Sequence, residues 1–173
     1  FESLSKKSLS YFLTTNRRRN MGKILLFPST KRNVLCLTPI EATLFLQRAY
    51  NQKHKYFTHW FMALDTGMTL SELSHLRWDD ICFEKREISV NTRILPMSLE
   101  LESVLRKLNV SRAGDFVHDD WTKAAHPNNL RHFLKSIGLK QVSFASLRET
   151  WRLVLLEAHV SPKKIKELAG DLL

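Results

Sequence analysis

Apolar residues recur at intervals of three and four along most of the chain from Thr38 onward, which predicts a series of amphipathic helices. Two of these segments open with a capping box, in which a threonine N-cap is followed three residues later by a glutamate: Thr38 with Glu41, and Thr69 with Glu72. Gly67 is expected to be the C-cap of another predicted helix, which begins close to Tyr56. Within this region the predicted helices begin close to Thr38, Tyr56, Thr69, Ser98, Pro127, Ser146 and Ser161.

The hydrophobic period changes between Ile81 and Leu95, where short apolar segments are broken by polar residues at 84–86 and 91–92. This pattern predicts a small antiparallel sheet. The fold is therefore expected to be mainly α (α+β), with one small antiparallel sheet. We place this domain over residues 38–173.

The composition is that of a globular protein. Hydrophobic residues make up 43% of the chain and charged residues 25%, which excludes a disordered or fibrous protein. No apolar run approaches the roughly 18–20 residues that span a bilayer, so a transmembrane protein is excluded as well. Cys36 and Cys82 are too few for a disulfide scaffold and favour a reducing compartment, the cytoplasm. The chain begins at Phe1 without a signal-peptide pattern, and we expect it to be part of a longer protein.

The net charge of +10 is concentrated in the N-terminal segment. Residues 1–37 carry eight basic side chains and one acidic side chain, whereas residues 38–173 are nearly balanced. A basic arm attached to a nearly neutral domain favours contact with the phosphates of nucleic acid or with a membrane surface. The alternative is a solvated linker whose charge only aids solubility.

Four sequence motifs follow one another along the chain. The two longest are ALDTGMTLSELSHLRWDDI at residues 63–81 and FASLRETWRLVLLEAHVSPKKIKELAGD at residues 144–171. Between them, RILPM at residues 93–97 closes the predicted sheet, and LTPIE at residues 37–41 precedes both. The catalytic domain of the tyrosine recombinase, or phage integrase, family has two sequence boxes, and residues 63–81 and 144–171 resemble the first and the second box. RILPM resembles the end of its hairpin, and LTPIE resembles its usual start. The resemblance covers residues 37–173 and implies the helical fold of that family.

The resemblance also implies a chemistry. Members of the family cleave DNA with a tyrosine nucleophile beside a cluster of cations, because guanidinium groups bind phosphate oxygens and stabilise transition-state charge. The second-box arginine of the family is retained as Arg148. Other functional positions of the family hold different residue types in this chain. Thr69 stands where the family has its first-box arginine, and three histidines of the family are replaced by Ala145, Glu149 and Asp171. We therefore expect a degenerate site.

The hairpin and the nucleophile depart from the family pattern as well. The hairpin lysine of the family has no counterpart, because Val90 and Arg93 leave room only for a two-residue turn. Arg93 either replaces that lysine or corresponds to the structural arginine that the family has before Pro96. The nucleophile of the family would fall beyond Leu173. The tyrosines present, all of them before the first box, are Tyr11, Tyr50 and Tyr56.

Arg148 and Glu72 complete the candidate site. Arg148, near the start of a predicted helix, either contacts a phosphate or forms a salt bridge with Glu72, which positions that arginine in the family. Glu72 is expected to act mainly as a helix cap. Family members hold DNA between this domain and an upstream domain, so we expect the basic arm to contact phosphates. Its candidate contacts are Arg17, Arg18, Arg19, Lys31 and Arg32.

These patterns predict a protein that binds double-stranded DNA without cleaving it, in an architectural or regulatory role, alone, as an oligomer or beside an active recombinase. One alternative is an active recombinase that uses other residues and a tyrosine beyond Leu173. The other is a protein-interaction module with the same fold. No cofactor is expected. No metal is expected either, because His54 and His59 are the only histidines at nearly helical spacing, and Cys36 and Cys82 have no partner at ligand spacing. Trp78 and Trp151 lie at apolar positions and are expected in the core.

Overall fold

The computed structural model describes residues 35–111, 114–118 and 125–171. Most of the predicted basic arm lies outside these ranges. The same is true of its candidate phosphate contacts, Arg17, Arg18, Arg19, Lys31 and Arg32. Within the described ranges, no helix is long and apolar enough to cross a membrane.

Seven α-helices and one sheet make up the described ranges, which confirms the predicted mainly α architecture with a small antiparallel sheet. The helices are α1 (Pro39–Asn51), α2 (Phe57–Thr66), α3 (Leu70–His75), α4 (Leu99–Val110), α5 (Ala125–Ser136), α6 (Phe144–Glu157) and α7 (Pro162–Ala169). The strands are β1 (Ile81–Cys82), β2 (Glu87–Val90) and β3 (Arg93–Pro96), after a 3-10 turn at Trp78–Asp80. β3 lies against α7, so the edge of the sheet meets the last helix.

Local capping explains where the helices begin. Thr38 and Thr69 each accept a hydrogen bond at 3.2 Å from the backbone N–H of a glutamate, whose side chain accepts one back from the threonine N–H at 2.7 Å. Both predicted capping boxes are confirmed. α6 begins two residues before the predicted Ser146, because Ser143 is its N-cap and accepts a hydrogen bond from the Ser146 N–H at 3.2 Å. α5 likewise begins two residues before Pro127.

The sheet has the order β1-β2-β3, and both pairs of neighbouring strands are antiparallel. Ile88 lies opposite Leu95 and Val90 lies opposite Arg93, so β2 and β3 are joined by the predicted two-residue turn. Asn91 adopts a positive φ of 52° in this turn, a conformation that asparagine tolerates well. The pairing therefore places Arg93 at the first position of β3, directly after the turn.

The main core surrounds α2, which packs against α1, α4 and α6. Trp60 and Phe45 are fully buried there, with ring centroids 5.1 Å apart. Trp78 and Trp151 are buried as predicted, with 6% and 4% of their surface exposed. A second, smaller cluster holds α7 against α6. Its buried members are Trp151, Ile165 and Ala169.

Two close contacts fix the position of α6. Gly67, the left-handed C-cap of α2 at φ 71°, lies against the Trp151 ring, and a Cβ added there would approach the ring to 2.5 Å. The backbone N–H of Leu37 donates to Oγ1 of Thr150 at 3.1 Å, which ties the segment before α1 to the middle of α6. α6 is therefore held from two sides, and the side chains on its first turns have a defined place.

Candidate functional site

Six charged side chains from four parts of the fold meet beside the start of α6. We call them the arginine–carboxylate cluster, which consists of Glu72 on α3, Arg93 on β3, Arg148, Glu149 and Arg152 on α6, and Asp171 two residues after α7. Arg148 and Arg152 lie on one face of α6 because they are four residues apart. The three guanidinium groups and three carboxylates balance in formal charge.

Glu72 connects three elements through its two carboxylate oxygens. Oε2 accepts a hydrogen bond from the Thr69 N–H at 2.7 Å, and Oε1 accepts one from Nη2 of Arg93 at 2.6 Å. Nη1 of Arg148 lies 3.8 Å from Oε2. Burial alone would raise the pKa of Glu72, but the hydrogen bonds from Thr69 and Arg93 outweigh it and lower the pKa below its usual value. Glu72 is therefore both the helix cap and the ion-pair partner that the sequence predicted.

Arg148 is largely buried and already has protein partners. Its guanidinium group donates to the backbone carbonyl of Ala169 and lies 3.4 Å from Oδ1 of Asp171, in addition to its contact with Glu72. Burial, followed by repulsion from Arg152, lowers its pKa from the usual value, although an arginine stays charged in any case. Of the two predicted roles of Arg148, the salt bridge to Glu72 is present, and phosphate contact stays a prediction.

Arg152 is a member of the cluster that the sequence analysis missed. Nη1 of Arg152 donates to Oε1 of Glu149 at 2.6 Å, and its Nη2 donates to Oδ2 of Asp171. The informative sequence pattern is its position four residues after Arg148, which places two cations on neighbouring turns of one helix face.

The cluster contains most of the residues that the resemblance singled out. It brings together Glu72, Arg93, Arg148, Glu149 and Asp171. Thr69 is linked to it through the capping box, whereas the exposed Ala145 in the first turn of α6 takes part in none of its ion pairs. In the described part of the chain, no group of three or more histidine, cysteine, aspartate or glutamate side chains is arranged to hold a metal ion.

An open groove of about 370 Å³ adjoins the cluster at Glu72. It runs between α3 and the turn from β2 to β3, and its lining includes Ser71, His75, Arg77 and Asn91. These side chains are polar or charged, so the groove suits a polar ligand better than an apolar one.

A sequence profile described as the phage integrase family matches residues 36–170, which is most of the chain. The chain belongs to the phage integrase family. This result confirms the resemblance that the two boxes carry, and the described helices and sheet form the tyrosine recombinase catalytic-domain fold. Among curated protein sequences, none matches this family member.

Several solved tyrosine recombinases share the fold. XerA recombinase has a TM-score of 0.73 at 19% sequence identity, over 83% of this chain and 59% of that chain. The Tn1549 transposon integrase in complex with transposon right end DNA has a TM-score of 0.72 at 20% identity, over 83% and 60% of the two chains. A lambda integrase tetramer bound to a Holliday junction has a TM-score of 0.64 at 20% identity, over 82% and 48%. This integrase-family chain thus spans half to three-fifths of the length of these proteins.

Proposed function

We propose that this member of the phage integrase family binds double-stranded DNA and does not cleave it. Its role is then architectural or regulatory, at a recombination, integration or replication site. It acts in the cytoplasm (on the nucleoid, if the host is a bacterium), alone, as an oligomer or beside an active recombinase. The proposal needs no cofactor.

The charge balance of the arginine–carboxylate cluster carries this proposal. Arg93, Arg148 and Arg152 each lie within 4 Å of at least one carboxylate oxygen. Catalysis of phosphoryl transfer requires cationic donors aimed at the developing charge, and a carboxylate beside each donor weakens the positive charge that the donor offers. Because loss of one such donor costs on the order of 10²–10³ in rate, a cluster without excess positive charge weighs against strand cleavage.

The substituted family positions support the same interpretation. The Thr69 side chain, where the family has its first-box arginine, is used as the N-cap of α3 and carries no charge. Glu149 and Asp171 place carboxylates where the family has histidines. An ionised carboxylate donates no hydrogen bond and repels a phosphate, so these two replacements work against phosphoryl transfer. We propose that the catalytic site is degenerate.

The choice of DNA as the partner rests on the family and on structures with the same fold. The Tn1549 integrase structures contain transposon right end or circular intermediate DNA, and the lambda integrase structure is a tetramer on a Holliday junction. The basic residues 1–37 supply positive charge that the neutral cluster does not. These points favour DNA, and oligomers on it, over a partner that is protein alone.

Binding can be tested by titrating a labelled random-sequence duplex with the 173-residue chain and measuring fluorescence anisotropy at several salt concentrations. We expect the logarithm of the association constant to fall by several units per unit of log salt, because bound phosphates release counterions. Flat or absent binding would contradict the proposal and favour a protein-interaction module.

Cleavage is tested separately with a nicked duplex, followed by denaturing electrophoresis that detects covalent protein–DNA adducts. We expect no adduct, whether the chain ends at Leu173 or continues to a downstream tyrosine. An adduct would favour an active recombinase that uses non-standard residues, and would overturn the second half of the proposal.

A further inference from the structure

The carboxylate of Asp171 bridges the two arginines of α6. Its Oδ1 lies 3.4 Å from Nη2 of Arg148, and its Oδ2 accepts a hydrogen bond from Nη2 of Arg152. A carboxylate and a phosphodiester both present two anionic oxygens on one central atom, and guanidinium groups bind either of them. The carboxylate of Asp171 thus lies where an anion contacts Arg148 and Arg152 together.

Asp171 is the member of the cluster that can leave most easily. Its side chain is 44% exposed, compared with 13% for Glu72, which is also fixed by the capping box and by Arg93. Its backbone is held independently of its side chain, since the Asp171 N–H donates to the carbonyl of Lys166 at 3.0 Å. The carboxylate can therefore turn into solvent without disturbing α7 or the core.

We infer that Arg148 and Arg152 form a binding site for one DNA phosphate, and that the carboxylate of Asp171 blocks this site until a phosphate displaces it. The inference rests on the proposed DNA binding and adds a new contact residue, Arg152, and an internal competitor, Asp171. With Asp171 in place the cluster is neutral. With Asp171 turned away the cluster has one excess positive charge, which a phosphate then balances.

Asp171→Asn tests the competitor, because asparagine keeps the size of the side chain and removes its charge. The matched control is Glu167→Gln, which removes one negative charge from the nearby last turn of α7, at an exposed pair with Lys164. At fixed salt we expect Asp171→Asn to bind a random duplex about three- to tenfold more tightly, and Glu167→Gln to change affinity by less than about twofold. Equal changes in the two variants would mean that only net charge matters, and would overturn the inference.

Inorganic phosphate tests the anion site without DNA. We expect phosphate to raise the melting temperature of Asp171→Asn more than that of the wild-type chain, relative to sodium chloride at the same ionic strength. If phosphate has this effect but no form of the protein binds DNA, the anion site stands and the proposed function fails. If DNA binds with a steep salt dependence that Asp171→Asn does not strengthen, the proposed function stands and the inference fails.

Arg152→Gln in the Asp171→Asn background distinguishes a phosphate contact from a mere anchor for Asp171. A contact residue lost from this background lowers DNA affinity and reduces the salt slope by about one unit. If Arg152 serves only to hold Asp171, the second substitution leaves both quantities unchanged, and this result would remove Arg152 from the site.

Discussion

Nη2 of Arg93 donates a hydrogen bond to Oε1 of Glu72 at 2.6 Å, and both side chains are largely buried. The same glutamate caps α3 through its other oxygen, which accepts from the Thr69 N–H. The carboxylate of Glu72 thus stabilises the first turn of α3 and balances the charge of an arginine in the sheet. Since the pair is shielded from solvent, its loss leaves a guanidinium group without a counter-ion in a poorly solvated place.

Glu72→Gln should lower the free energy of unfolding by about 2 kcal/mol, because glutamine keeps the shape but not the charge that compensates Arg93 and Arg148. Glu102→Gln is the control, since its partner Arg106 is half exposed, and it should cost less than about 1 kcal/mol. Urea unfolding followed by circular dichroism measures both. Equal losses would mean that the buried pair contributes no more than a surface pair.

Thr69→Ala should cost about 1 kcal/mol of stability, whereas Thr69→Ser should be nearly silent, because serine keeps the oxygen that caps α3. Thr38→Ala is a matched control with the same capping geometry on α1. Thr69→Arg restores the cation of the family at this position, but we expect it to restore no cleavage of a nicked duplex. Cleavage by this single variant would show that the degeneracy does not extend beyond residue 69.

Arg148→Ala should weaken DNA binding and reduce the salt slope by about one unit, as expected for the loss of one phosphate contact. It should also lower the melting temperature, since Arg148 contacts Glu72 and the Ala169 carbonyl. Arg106→Ala removes an exposed arginine from α4 and serves as the control for net charge. An unchanged slope with a lower melting temperature would assign Arg148 a structural role only.

Gly67→Ala should destabilise the protein by about 3 kcal/mol, since it adds backbone strain and a clash with the Trp151 ring. Gly138→Ala separates the two effects. Gly138 also has a positive φ, of 76°, but a Cβ there meets no heavy atom within 4 Å, so only the strain of about 1 kcal/mol applies. Thermal melts of the two variants give the difference. Equal shifts would mean that the Trp151 ring moves away at little cost.

Asp65 introduces a pH dependence at the junction between α2 and α4. Its Oδ2 accepts a hydrogen bond from the Ser98 N–H at 2.9 Å. Burial raises the pKa of Asp65 from 3.8 to about 6, although the bonds from Ser98 oppose the shift. Because the folded state binds the proton more tightly than the unfolded state, the stability from this proton is full below pH 3.8 and is lost as pH rises through about 6.

Asp65→Asn should therefore stabilise the protein at pH 7.5 and have little effect near pH 4, because asparagine accepts the Ser98 hydrogen bond without a charge. The gain should be at most about 3 kcal/mol, since one pKa unit corresponds to about 1.4 kcal/mol. Melting temperatures between pH 4 and pH 7.5 measure it, with the exposed Asp79→Asn as control. A gain that does not vary with pH would contradict the raised pKa.

The fold could be predicted where local chemistry decides it. The Thr38 and Thr69 caps and the turn between Val90 and Arg93 depend on residues within three positions of each other, and each was found as predicted. The start of α6 was misplaced because Ser143 and Ser146 are both plausible N-caps, and only their hydrogen bond distinguishes the cap from the residue it caps.

Less of the site could be predicted from the sequence, because its contacts join residues that are far apart along the chain. Family positions identified Glu72, Arg148 and Asp171, but their pairing depends on how α3, α6 and α7 pack. Arg152 is not among the positions that the resemblance singled out, and its role appears only when Asp171, nineteen residues later, lies beside it. Composition showed an excess of positive charge in the chain, yet the charges of this cluster cancel.

The small apolar cluster that attaches α7 gives the anion site a second way to open. Because the α7 residues Ile165 and Ala169 pack mainly in this small cluster with Trp151, the last helix can detach in a local opening while the rest of the domain stays folded. Each such opening carries Asp171 away from both arginines of α6 at once. The availability of these arginines to DNA is then set partly by the lifetime of a partially unfolded state, and substitutions within this apolar cluster would tune it.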